Sequence, residues 1–114
     1  MTRFASLDTT NTDVQVSSPQ PTDLLKGMPE FRLWEIEDAG KGVSAGIWES
    51  TPGKWRFANT HWEYFRVLFG VSVITDDDGS TWVVRTGDSL VLRPGFQGTW
   101  EVIETTRKEY VVCE

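Results

Sequence analysis

WEYFRVLFGVSVITDDDGSTWVVR, residues 62–85, holds the pattern that decides the fold. Its apolar and aromatic residues fall into two short runs, 62–69 and 71–75, separated by Gly70. Four turn formers follow, Asp76-Asp77-Asp78-Gly79, and a third run occupies 80–85. Val, Ile, Phe, Trp and Thr dominate the runs, the side chains that fit a pleated surface. Asp-Gly at the break, with Gly79 able to take a positive φ, predicts a hairpin. Outward from this segment the same texture predicts strands near 31–36, 43–50, 54–58, 88–92, 98–103 and 107–113. Gly87-Asp88 and Pro94-Gly95 mark further reversals. No ten-residue window keeps a clean helical period, so helix is a minor element. Eight or nine short antiparallel strands in about 85 residues describe an all-β jelly roll or small barrel.

The flanks set the domain limits. Residues 1–22 are rich in Thr, Ser, Asp, Gln and Pro, the composition of a flexible leader or of an extended N-terminal arm ordered against a partner subunit. Residues 23–30, DLLKGMPE, predict one turn of helix stopped by Gly27 and Pro29. The β texture begins at Phe31, and 23–114 reads as a single domain. A chain of 114 residues buries enough surface for one core without staples. Six Trp and six Phe furnish large flat side chains for it, and ten Gly with five Pro furnish the reversals.

Charge and composition exclude several classes of function. Eleven Lys and Arg stand against seventeen Asp and Glu, a net charge of −6, and the cations do not cluster. Such a surface repels phosphate backbones, so nucleic acid is not an expected partner. No apolar run is long enough to span a bilayer. The N-terminus, MTRFASLDTTNTDVQV, lacks the apolar stretch of a secretory signal, and a soluble cytoplasmic protein is expected. One Cys and one His cannot build a structural zinc site or an internal disulfide.

Several stretches carry a resemblance. Gly46-Ile-Trp-Glu-Ser-Thr-Pro-Gly53, Glu63-Tyr-Phe-Arg-Val-Leu-Phe-Gly70, Gly87-Asp88, Arg93-Pro-Gly-Phe-Gln-Gly-Thr-Trp-Glu-Val102 and Arg107-Lys-Glu-Tyr110 together resemble a small cupin. More narrowly, residues 31–112 are similar to the single-domain cupins related to (S)-ureidoglycine aminohydrolase. The resemblance implies a double-stranded β-helix with its site at the barrel mouth, commonly assembled as a homodimer. Cupins generally carry a first motif of the form G(x)5HxH(x)3–4E(x)6G, and a second whose His follows a Pro and Gly. The three His and the Glu of these motifs bind a divalent metal, since imidazole and carboxylate suit Mn, Fe, Ni or Zn.

The present sequence keeps only part of that set. Glu63 to Gly70 preserves the E(x)6G half. Reading forward from Gly53 puts Asn59 at the first His position and His61 at the second, with the segment before Glu63 two residues short. Counting back from Glu63 by the usual spacing puts Asn59 and Phe57, or Ala58 and Arg56, at the His positions. In the second motif the ligand position after Gly95 is Gly98. At least two of three imidazoles are absent on either count, so no strongly bound metal is expected. His61 and Glu63 are the ligands if a metal is held.

Strand parity names the other candidates. His61 and Glu63, two residues apart, share a face if both lie on a strand. Trp48 and Trp100, with Trp55, are candidates to line an apolar pocket or to fill the core, each with one N–H donor. Trp100, Val102 and Glu104 share a face with Gly98, the face expected to look inward. Tyr64 and Arg66 alternate with Glu63 and point the other way. Lys108 and Tyr110 share one face of the last strand, with Lys108 expected to pair with Glu101 or Glu104. The Asp76–Gly79 run lacks a Glu at its twelfth position and is a turn rather than a calcium loop. Cys113, beside Val111 and Val112, reads as a structural thiol.

These residues lead to a small-molecule-binding cupin for a carboxylate, amide or ureide, with Glu63, His61, Asn59, Trp48 and Trp100 at the barrel mouth. Glu63 is the general base if the protein is catalytic. The alternatives are a metal-dependent enzyme of the ureidoglycine aminohydrolase kind and a non-catalytic dimeric module.

Overall fold

A computed structural model describes residues 2–114; Met1, part of the expected leader, lies outside the described residues. A short 3-10 turn at Thr9–Asn11 precedes nine strands: β1 Gln15–Ser17, β2 Leu24–Gly27, β3 Phe31–Gly40, β4 Val43–Ser50, β5 Gly53–Asn59, β6 Trp62–Asp76, β7 Thr81–Arg85, β8 Ser89–Leu92 and β9 Phe96–Cys113. All pairings are antiparallel.

β6 and β9 are the two long strands and pair with each other from Trp62↔Cys113 to Asp76↔Gly98. Each changes its other neighbour midway. β9 pairs with β5 through residues 96–102 and with β4 through residues 106–113. β6 pairs with β8 in its first half and with β7 in its second. The sheet therefore folds into two layers, β1-β3-β4-β9-β6-β8 and β2-β5-β9-β6-β7, which share the long ladder. Phe65, Val67, Leu92 and Tyr110 from the first layer meet Trp55, Ile74, Val84, Trp100 and Val102 from the second in one core. This is the expected all-β jelly-roll barrel.

The crossing between layers explains where the sequence reading of single strands differs from the fold. Residues 62–69 and 71–75 form one strand, and so do 98–103 and 107–113. The ladder register shifts between Val67 and Ser72, where the strands bend rather than end. Gly70 has φ +103°, and a Cβ there would collide with the Thr105 carbonyl, so the bend needs glycine. At the same place the buried hydroxyls of Ser72 and Thr106 lie 2.7 Å apart. Thr106 gives its hydrogen to the Glu104 carbonyl, which makes Ser72 the donor to Thr106. The bulge also overturns one expectation of parity. Glu104 does not follow Trp100 and Val102 inward but is exposed, because adjacent Ser72 and Val71 pair with Val102 and Glu104 and leave Ile103 as the extra residue of a bulge.

The 76–79 turn closes the β6–β7 hairpin as read, with Gly79 at φ +94° and its N–H donating to the Asp76 carbonyl at 2.9 Å. The helical turn expected in 23–30 is replaced by β2, whose backbone groups find partners on the free edge of β5. Within the N-terminal arm, Gln15–Ser17 pair with Phe31–Leu33 at the opposite edge. Among the described residues no helix is long and apolar enough to cross a membrane.

Candidate functional site at the barrel mouth

One end of the roll holds a cavity of about 320 Å³ lined by Leu33, Glu35, Ser44, Trp48, His61, Glu63, Lys108, Tyr110 and Val112. Pleating assembles it. Lys108, Tyr110 and Val112 alternate along β9 and face the same way as Glu63 on β6 and Ser44 and Trp48 on β4. The ladder sets Trp48 beside Lys108 and Glu63 beside Val112. Gly46, register partner of Tyr110, makes room for the phenol; a Cβ there would collide with the Trp34 carbonyl and stand 2.8 Å from the Tyr110 hydroxyl.

The centre of the site is an ion pair. Lys108 Nζ donates to Glu63 Oε2 at 2.6 Å, and the two side chains are only 9% and 11% exposed. Three aromatic rings surround the ammonium: Trp48 at 4.8 Å, Phe65 at 4.6 Å and Trp100 at 4.6 Å. Ring faces attract a cation most strongly where water is excluded. The carboxylate and the rings together supply what a buried ammonium loses on leaving water. The expected partners of Lys108 are engaged elsewhere: Glu101 pairs with Lys26 at 3.5 Å, and Glu104 is exposed beyond the bulge.

Tyr110 stands beside this pair. Its phenol is pushed up to about 12, first by burial and then by the negative charges of Glu35 and Glu63. It therefore keeps its proton at neutral pH and is available as a donor to an oxygen in the cavity.

The sequence-derived candidates divide into wall, floor and frame. Glu63, His61 and Trp48 line the cavity together. Trp100 lies beneath, buried, with its ring under Lys108 and an edge-on contact to Trp48 at 5.4 Å. Its indole N–H has no hydrogen-bond partner among the described residues, so it is not the polar tip at the mouth that its residue type suggested. Asn59 is a frame residue outside the cavity wall. It is buried, donates Nδ2 to the His61 carbonyl at 2.6 Å and to the Leu92 carbonyl at 3.4 Å, and accepts from the Gly95 N–H at 2.8 Å. It thereby ties the β5–β6 connection, which carries His61, to β8 and the loop after it.

Glu35, Ser44 and Leu33 are wall residues that sequence reading missed. Parity from Trp48 reaches Ser44, but Glu35 and Leu33 come from β3 and need the β3–β4 register to be placed. That Lys108 and Tyr110 share a face was legible, but neither that this face looks inward nor that Lys108 pairs with Glu63 was. Another depression, about 450 Å³, runs along the seam from Trp82 to Phe96 and takes in Asp76 and Arg93. The smaller mouth is the better candidate because it holds the buried charges.

A family model for the EutQ-like cupin domain matches residues 37–110. Among solved structures, a Pseudomonas syringae protein of unknown function from the DUF861 family is 27% identical, with a TM-score of 0.81 over 93% of this chain and 46% of that one. The Clostridium difficile EutQ protein is 16% identical, with a TM-score of 0.67 over 75% of this chain and 63% of that one. A Thermotoga maritima DUF861 protein is 21% identical, with a TM-score of 0.55 over 86% of this chain and 97% of that one. The latter two likenesses concern the fold alone. The chain thus spans less than half of the Pseudomonas protein and less than two-thirds of the Clostridium protein. Among curated proteins none matches the chain.

Proposed function

This chain belongs to the EutQ-like cupin family, and from that premise we propose that it binds a small polar molecule at the barrel mouth without depending on a tightly held metal. One observation carries the reading: the Lys108–Glu63 pair is buried from bulk water yet forms part of a cavity wall. A charge pair inside a hydrophobic roll is expensive to bury. A ligand able to use both members is a reason to keep it there. Lys108 and Tyr110 offer donors, Glu63 and Glu35 offer acceptors, and Trp48, Leu33 and Val112 form an apolar wall.

The matching ligand presents an oxygen acceptor and an N–H donor a few bonds apart. Amides and ureides do so, and the resemblance to ureidoglycine aminohydrolase-type cupins favours the same class. A carboxylate satisfies the donors but meets Glu63 and Glu35, so it ranks lower. The test is calorimetric titration of the purified protein with a panel of small amides, ureides and carboxylates. Saturable binding that Tyr110→Phe weakens several-fold, and that Lys108→Met abolishes in a folded variant, supports the reading. A panel with no saturable member, or binding indifferent to both substitutions, removes it.

A further inference from the structure

The cupin motif reserves Glu63 for a divalent metal, and the side chains around Glu63 do not fit one. Among the described residues no group of three or more His, Cys, Asp and Glu side chains is placed to hold an ion. His61 is the chain's single imidazole. The second-motif position, Gly98, admits no replacement ligand, because any Cβ there would collide with the Thr75 carbonyl. The Glu63 carboxylate is already engaged by an ammonium at 2.6 Å that three aromatic rings hold in place. A metal bound to Oε2 at about 2.1 Å would share that carboxylate with a fixed positive charge. The repulsion is strong in a site from which water is largely excluded.

We propose that Lys108 is the resident cation of this cupin mouth, taking beside Glu63 the place that a divalent metal takes in the motif. The inference that it also serves recognition rests on the ligand-binding reading above. An ammonium has three N–H donors, and Glu63 takes one, so the others are available to an oxygen of the ligand. The aromatic cage supplies what a coordination sphere otherwise would, a fixed position for the charge. The mouth then recognises its ligand by hydrogen bonding and carries a cation that chelators do not remove.

The test titrates Mn²⁺, Ni²⁺ and Zn²⁺ into the wild-type protein, Glu63→Gln and Lys108→His, using calorimetry and thermal unfolding. The expected result is that wild type and Glu63→Gln share the same weak, surface-type binding. Lys108→His, which adds an imidazole to Glu63 and His61, should bind Ni²⁺ or Zn²⁺ at least 100-fold more tightly than wild type. Micromolar binding by wild type that Glu63→Gln abolishes overturns the proposal, as does a folded Lys108→His variant no tighter than wild type. If Lys108→His does not fold, wild type against Glu63→Gln decides alone. A failed ligand panel with this metal result intact removes the ligand-binding reading and leaves the resident cation standing.

Discussion

Lys108 Nζ lies 2.6 Å from Glu63 Oε2 although 45 residues separate the two in the chain. The contact exists because β6 and β9 run antiparallel in one register, with Glu63 opposite Val112 and Val67 opposite Lys108. Both side chains then enter the roll from adjacent strands near its open end. A one-residue slip of that ladder would turn one of them to solvent.

Breaking this pair from one side should be severe. Glu63→Gln or Lys108→Met leaves a buried charge without its partner, an expected loss of about 3–5 kcal/mol. The double variant, with both charges gone, should lose clearly less than the sum of the singles. Urea unfolding of the three variants measures the coupling; additive losses would mean that the charges do not interact in solution.

Tyr110 predicts an alkaline limit to stability. Its phenol titrates at about 12 in the folded protein against 10.0 ordinarily. Below pH 10 it is protonated in both states and adds no pH dependence. Between 10 and 12 the unfolded chain sheds the proton while the folded chain holds it, so stability falls as pH rises through that window. Tyr110→Phe should flatten the fall, as followed by chemical unfolding at several alkaline pH values. An unchanged slope would assign the fall to other groups.

Two glycines with positive φ should respond differently to alanine. Gly70 meets the Thr105 carbonyl as well as carrying φ +103°, whereas nothing lies near Gly79 within 4 Å at φ +94°. Gly79→Ala should cost about 1 kcal/mol, the backbone conformation alone. Gly70→Ala should cost roughly 1–3 kcal/mol beyond that, since the bend must open to admit the methyl group. Equal losses in urea unfolding would place the crossing of the two layers elsewhere.

The outer face of the first layer leads us to expect a homodimer. Trp62 and Val91 are 36% and 40% exposed, and Val91 is the register partner of Tyr64. Aromatic side chains on such a face are favoured at interfaces. Light scattering should give twice the 12.9 kDa chain mass, and Trp62→Glu with Val91→Lys should halve it. A monomeric wild type withdraws the expectation.

Much of this was legible residue by residue. The 43–50 strand and the 76–79 hairpin follow from side-chain alternation and turn chemistry, which act over a few residues. His61 sits in the bend before β6 rather than on a strand, so it joins Glu63 in the cavity wall through the β5–β6 connection and not through strand parity. Gly70 misled because a glycine that bends a ladder and a glycine that ends a strand look alike in sequence. DLLKGMPE misled because local preference for a helical turn yields when a neighbouring strand offers unpaired backbone groups.

By itself, then, the sequence determined an all-β chain of short strands and tight reversals, because pleating and turn formation are local properties, and its Glu63-to-Gly70 spacing carried the cupin resemblance. Tertiary structure alone decided that Lys108 reaches Glu63, that Trp48, Phe65 and Trp100 enclose the ammonium, and that Glu104 faces water. Those outcomes depend on the register of strands distant in the chain and on one bulge, and strand register is set by the packing of the whole roll.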